Sequence, residues 1–383
     1  MFYNNFYLNQ ISKKISKYIN KYTNNPKIIA CKLIFWNFKF LFKSHNNKPK
    51  YNDNFQHIAI ELRGGIGDIV INAQYIKALF NYLDPNTKID ILCEETTIAI
   101  TKEIFNNESW INQVILINND LYDAYIYLVR FPYIQYYFDY RLSSKTNDYI
   151  NEILKFHSEN PLCFKNDFFG KCYMHLKGKT RETEADITNL FAGNNNLDYS
   201  LNCYSNQQET ENKFNLTNNK YIVVHTGSGL SFSDITNESR QWPLNYYNEL
   251  VSLIKEKFPK YKIIQIGEKR QPTITNVDLN LQDKTTFREL LTLLKYSSLL
   301  ISQEGGIPIL RHFLNGGKSI VLFGPTDEKF FGFKENINLS QRTCPIACEW
   351  ISQDWMKKCF YCGESSICMK AITPQYVMKF INL

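Results

Sequence analysis

The chain has 383 residues, 44% hydrophobic and 21% charged, which excludes a wholly disordered protein and leaves enough apolar material for two cores of ordinary size. Its 44 Lys and Arg against 37 Asp and Glu leave a formal charge of +7. That balance suits an anionic ligand or surface but is too mild for a nucleic-acid coat, so no nucleic-acid partner is expected.

Residues 1–54 read as a basic amphipathic extension, with Ile11, Ile15, Tyr18 and Ile19 at helical spacing among lysines. Such a segment either lies on an anionic membrane surface or packs on the protein's own body. No run reaches the ~20 apolar residues of a membrane-spanning helix, and the nearest, Ile28 to Phe42, is broken by Lys32 and Lys39. The opening MFYNNFYLNQISKK lacks a signal-peptide pattern, and a disulfide scaffold belongs to shorter chains, so a reducing cytoplasm is expected despite ten cysteines.

From His57 the pattern becomes strand, glycine turn, helix: IAIEL, RGGIGD, INAQYIKALFNYL. KIDILC and QVILI follow as strands around a helical stretch. Between Asp120 and Asn212 no clean period emerges, and late helices with a linker near 195–218 are expected. A second alternation starts at YIVVHTGSG and runs through PLNYYNELVSLIKEKF, KIIQIG, TTFRELLTLLKY, SLLIS, GGIPILRHFL and SIVLFGPT. The implied architecture is α/β, with Rossmann-like domains over 55–200 and 215–343, a central cleft between them, and a Cys-rich tail over 344–383.

Four turns stand where strands feed helices. In the first, Gly64, Gly65 and Gly67 permit a tight backbone approach, and Asp68 is either a helix-start cap or a chemical group. The second, His225-Thr226-Gly227-Ser228-Gly229, is either a phosphate cradle or a plain loop, and His225 is either a ligand group or a strand-end histidine satisfying the backbone. Arg240, before Trp242 and Pro243, projects towards the same cleft, where a guanidinium matches a diphosphate. Glu304, Gly305 and Gly306 form the third turn, with Glu304 either holding a ribose hydroxyl or capping a helix. Gly324, Pro325 and Thr326 form the fourth.

Singly these turns are weak signals, but their order over residues 57–383 resembles glycosyltransferase family 9, the lipopolysaccharide heptosyltransferases of the GT-B fold. The resemblance rests on GGIGD, HTGSG with R-x-W-P, the EGG turn, LFGPT and the tail CMKAITPQYVMKFI. It implies inverting transfer of a sugar from an ADP-heptose-like donor to a glycan or lipid-linked acceptor. Asp68 matches the family's general base and Arg240 its basic diphosphate-side residue. No obligatory cofactor is implied, and the expected location is the cytoplasm, peripheral on the inner face of the inner membrane. Many family members carry Asp-Ser/Thr-Gly with a His three residues on, whereas this chain has Gln303-Glu304-Gly305 and Pro308. Transfer to a protein hydroxyl, or non-catalytic binding of a nucleotide sugar, are the alternatives.

In the tail, Cys344, Cys348, Cys359 and Cys362 have the spacing of a structural zinc or iron site, with Cys368 close behind. The other reading is cytosolic thiols that bind nothing. Cys93, Cys163, Cys172 and Cys203 are expected as core or loop thiols.

Overall fold

A computed structural model of the chain describes residues 53–383 apart from 107, 162, 164–166, 193–196, 217–219, 228–237, 353 and 366. Nearly all of the 1–54 extension, with the membrane surface expected for it, thus lies outside the described residues. So do Ser228 and Gly229.

The first half holds strands β1 (Gln56–Leu62), β2 (Thr87–Cys93), β3 (Gln113–Leu116), β4 (Ala124–Leu128) and β5 (Pro132–Tyr137), in sheet order β3-β2-β1-β4-β5. All seven residues of β1 are buried, as befits a central parallel strand covered on both faces. Helices α1 (Ile66–Tyr82), α2 (Ile98–Phe105), α3 (Ser144–Glu159) and α4 (Asp167–Leu176) complete this half. The chain folds as parallel units up to β4; β5 then turns back antiparallel, with an irregular register between Tyr125 and Ile126.

The second half holds β6 (Tyr221–His225), β7 (Lys262–Ile266), β8 (Leu279–Asn280), β9 (Leu299–Gln303), β10 (Ser319–Phe323) and β11 (Ile337–Ser340), in sheet order β11-β10-β9-β6-β7-β8. Counted from its own first strand this is the Rossmann order, whose ligand crevice opens where the winding reverses, here between β6 and β9. In the first sheet the equivalent reversal separates β1 from β4. The glycine turns after β1, β6 and β9 therefore border the two crevices.

Helices α5 (Gln207–Lys213), α6 (Leu244–Lys257), α7 (Phe287–Tyr296), α8 (Gly306–Phe313) and α9 (Glu328–Phe331) belong to this half. Two short helices, α10 (Ile367–Ala371) and α11 (Pro374–Met378), come from the tail, and Met369, Ile372, Val377 and Ile381 enter the same buried cluster as Trp242 and Tyr247. The Trp242 indole N–H donates to the Ile372 carbonyl at 2.8 Å, so the end of the chain closes the second domain. Among the described residues no helix is long and apolar enough to cross a membrane.

Between Asp120 and Asn212 the expected late helices are present as α3 and α4, but they follow two strands. In β5 the consecutive residues Pro132, Tyr133 and Ile134 are all buried, which removes the alternation that marks a half-exposed strand. The expected linker near 195–218 contains α5, tied to α7 by Lys213 Nζ to Glu289 at 2.6 Å.

The halves meet helix start to helix start, α1 against α8. A Cβ on Gly67 would come within 2.8 Å of Ile309 Cδ1 and 3.2 Å of Gly306 Cα, and one on Gly306 within 2.7 Å of Ile66 Cγ2, so a side chain at either position would press on this approach.

Candidate functional site

Asp68 stands in the third helical position of α1, after a turn that only glycine allows. Gly64 has φ +114°, and a side chain there would collide with the Asp68 carboxylate. One carboxylate oxygen of Asp68 accepts the Gly65 N–H at 2.7 Å. This is helix capping, so the plain role expected for Asp68 is real. The other oxygen is paired with the guanidinium of Arg181, which also grips the buried Glu184. Arg130, two residues beyond β4, reaches Glu184 at 3.3 Å. Arg181 carries no sequence signal: it sits in the polar, aperiodic stretch Lys179 to Asp186 and meets Asp68 only through the fold.

On the facing wall, Arg240 Nη2 donates to the Glu304 carbonyl and carboxylate, each at 2.6 Å. The Trp355 ring lies 5.9 Å from its guanidinium carbon. Pro243 occupies the N-cap position of α6. Gln303 locks the arrangement: its Oε1 accepts the Trp242 N–H at 3.2 Å, and its Nε2 donates to the Thr226 carbonyl at 2.6 Å. Gln303 thus does work at the position where the resemblance would place an aspartate. Pro308 falls in the first turn of α8, where its missing N–H costs no helical hydrogen bond.

Gly305 has φ +154°, and a Cβ there would lie 3.7 Å from Arg240 Nη2. Gly67 and Gly306 thus approach closely where the halves meet, with Asp68 next to Gly67 in the chain and Arg240 beside Gly305 on the other side. The structure brings together Gly64, Gly65, Gly67, Asp68, Arg240, Glu304, Gly305 and Gly306.

The other expected residues make contacts within the second half. Thr226 is buried, and its hydroxyl donates to the Pro272 carbonyl at 2.8 Å. Any side chain on Gly227 would strike Gln271. His225 is buried with Nδ1 3.1 Å from Ser302 Oγ, and burial holds its pKa down at about 4, so it is a neutral packing group. Gly324 is pressed against Met369 of the tail, and Thr326 is buried with its carbonyl accepting from Arg342 at 3.1 Å. Next to it, the Asp327 N–H donates to Glu349 at 2.6 Å. Burial, opposed by Lys171 3.4 Å away, pushes the Glu349 pKa up to about 7.

Glu268 is a further residue that sequence reasoning passed over. It follows β7, one strand out from the β6 turn, and with Lys269, Arg270 and Asp283 lines an open recess of about 460 Å³. In nucleotide folds an acidic residue at the end of the second strand holds a ribose hydroxyl. The signal was legible as the G-E pair ending KIIQIGE.

In the tail, the Cys348 and Cys359 sulfurs lie 4.0 Å apart. Four thiolates around a tetrahedral zinc at a Zn–S distance of ~2.3 Å stand ~3.8 Å from one another, so this pair fits such a site. Among the described residues no group of three His, Cys, Asp or Glu is arranged to hold a metal ion. The expected set of Cys344, Cys348, Cys359 and Cys362 is thus close in the fold without forming a closed cage. The described cysteines, Cys93, Cys163, Cys172 and Cys203 included, are unbridged.

No family model matches the sequence, and no curated protein matches it. Solved structures do. The E. coli ADP-heptose lipopolysaccharide heptosyltransferase II is 13% identical with a TM-score of 0.50, the match covering 85% of this chain and 97% of that one. A glycosyl transferase family 9 protein from Veillonella parvula is 12% identical with a TM-score of 0.54, over 87% and 97%. The dodecameric iron-containing heptosyltransferase TibC of enterotoxigenic E. coli, solved with ADP-D-β-D-heptose, is 10% identical with a TM-score of 0.54, over 84% and 74%. With its two Rossmann-ordered sheets facing one cleft, this chain has the GT-B fold that family 9 heptosyltransferases share.

Proposed function

We propose that this chain is an inverting glycosyltransferase that moves a heptose-like sugar from a nucleotide diphosphate donor to a hydroxyl of lipopolysaccharide or another surface glycan. The observation that carries it is the close approach of the Gly67 and Gly306 turns, beside which stand Asp68 of one domain and Arg240 of the other. A carboxylate on one domain and a guanidinium on the other, both beside the junction, supply the two groups needed to displace a diphosphate by a hydroxyl. The acceptor oxygen attacks the anomeric carbon while its proton passes to Asp68. The bond from that carbon to the diphosphate oxygen breaks, and its electron pair leaves with the nucleoside diphosphate. Arg240 offsets the developing charge, helped by the backbone at Thr226 and Gly227.

The Glu304 carboxylate pairs with Arg240, on the guanidinium that a diphosphate would engage. Donor binding then frees the Glu304 carboxylate for ribose hydroxyls, with Glu268, paired with Arg270, as a second acidic group at the edge of the site. The ADP-heptose bound to the TibC structure motivates ADP-heptose as the first donor to test. Cys344, Cys348, Cys359 and Cys362 are proposed to hold a structural zinc or iron ion that braces the tail, and the transfer itself has no step on it.

Calorimetric titration of the full chain with ADP, GDP and UDP tests the donor half. One of the three is expected to bind at a single site per chain. Binding of none would remove the donor site and the transferase with it.

A further inference from the structure

We infer that Arg181 is a positioning residue that couples the donor domain to the base, holding Asp68 in its working orientation only while the two domains are engaged. This rests on Asp68 being the base, as proposed above. Arg181 is buried, and its two terminal nitrogens are divided between Asp68 and Glu184, which fixes the guanidinium plane. Its own backbone N–H donates to the Phe330 carbonyl at 2.8 Å, and Phe330 lies in α9, just beyond the LFGPT turn of the other domain. Glu182 repeats the bridge: its carbonyl accepts from Gln74 of α1 at 3.1 Å, and its carboxylate meets His312 of α8 at 3.2 Å. The strap around Arg181 is therefore tied to both halves, with its one guanidinium on the reacting carboxylate.

Asp68 has few other restraints. Its second oxygen is spent on the Gly65 N–H, and its side chain is 29% exposed. Movement of α9 with the donor domain is transmitted through the Phe330 carbonyl to Arg181 and so to the Asp68 carboxylate. Misplacing a catalytic group by about 1 Å costs on the order of 100-fold in rate.

The test uses the full chain and whichever sugar nucleotide the wild type turns over, comparing Arg181→Met, Asp68→Asn and the double variant. Arg181→Met is expected to lower kcat ~100-fold with donor KM within ~3-fold of wild type. Millimolar guanidinium is expected to restore part of that loss, and the variant is expected to cause no further loss in the Asp68→Asn background. Arg181→Lys, which keeps the charge but not the fork, is expected to be slow as well, and it decides the matter if Arg181→Met does not fold. Equal losses in both backgrounds, a loss confined to donor KM, absence of guanidinium rescue, or a wild-type kcat in Arg181→Lys would each overturn the inference while leaving Asp68 as base. Wild-type turnover in Asp68→Asn, or no turnover of any sugar nucleotide by the wild type, would remove the base itself.

Discussion

Arg240 is committed to Glu304 through two short hydrogen bonds, one to the backbone and one to the carboxylate. A diphosphate can replace this carboxylate because both present paired oxygens to the same guanidinium face. Arg240→Ala is therefore expected to weaken binding of the nucleoside diphosphate ~10–100-fold, since a charge-assisted hydrogen bond contributes ~1.5–3 kcal/mol. Titration calorimetry reads this directly, and an unchanged affinity would place the diphosphate elsewhere. Glu304→Gln is the informative companion, as it removes the competing charge while leaving the carbonyl contact.

His312 of α8 is clamped between Glu335 and Glu182. Its Nδ1 is 2.6 Å from Glu335 and its Nε2 3.2 Å from Glu182, while its ring stacks on Phe333 at 3.9 Å. Burial alone would lower its pKa, but the two carboxylates outweigh that and raise it to about 9. A histidine whose folded pKa exceeds its unfolded value stabilises the fold fully below the unfolded pKa and loses that contribution as pH rises through the folded one. Between about 6.5 and 9 the chain should accordingly lose stability on the order of 3 kcal/mol. In His312→Gln that pH dependence should be absent. Denaturant unfolding at pH 6.5 and 9.5 checks it; a wild-type slope in the variant would show that the clamp contributes nothing.

A second element, the tail from Cys344 to Cys368, brings two sulfurs to ligand spacing. Elemental analysis of the purified chain is expected to find about one zinc or iron per chain, from the four-ligand arithmetic of such sites, and Cys348→Ser with Cys359→Ser is expected to lose it. A metal-free wild type would return these cysteines to plain thiols.

Over the whole molecule, what the sequence revealed was local. Strand, glycine turn and helix are contiguous, so Gly64 to Asp68, Thr226, Gly227, and Glu304 to Gly306 could be placed before any fold was known. The strand β5 could not, because Pro132, Tyr133 and Ile134 are all buried and leave no alternation to read. Arg181 was invisible for another reason: its partner Asp68 is 113 positions away, and nothing in a polar strap signals a contact that only the tertiary fold creates. Thr226, Gly324 and Thr326 were likewise placed at turns, but their contacts with Pro272, Met369 and Arg342 come from the tertiary fold.

The two-domain cleft, with a carboxylate on one wall and a guanidinium on the other, is the feature on which the account depends. The most direct test is turnover of ADP-, GDP- and UDP-sugars by the full chain and by Asp68→Asn, with donor affinity measured alongside. The wild type should release nucleoside diphosphate from one donor class, and Asp68→Asn should bind that donor normally but turn it over ~10²–10⁴-fold more slowly. Equal turnover by the two chains would contradict it.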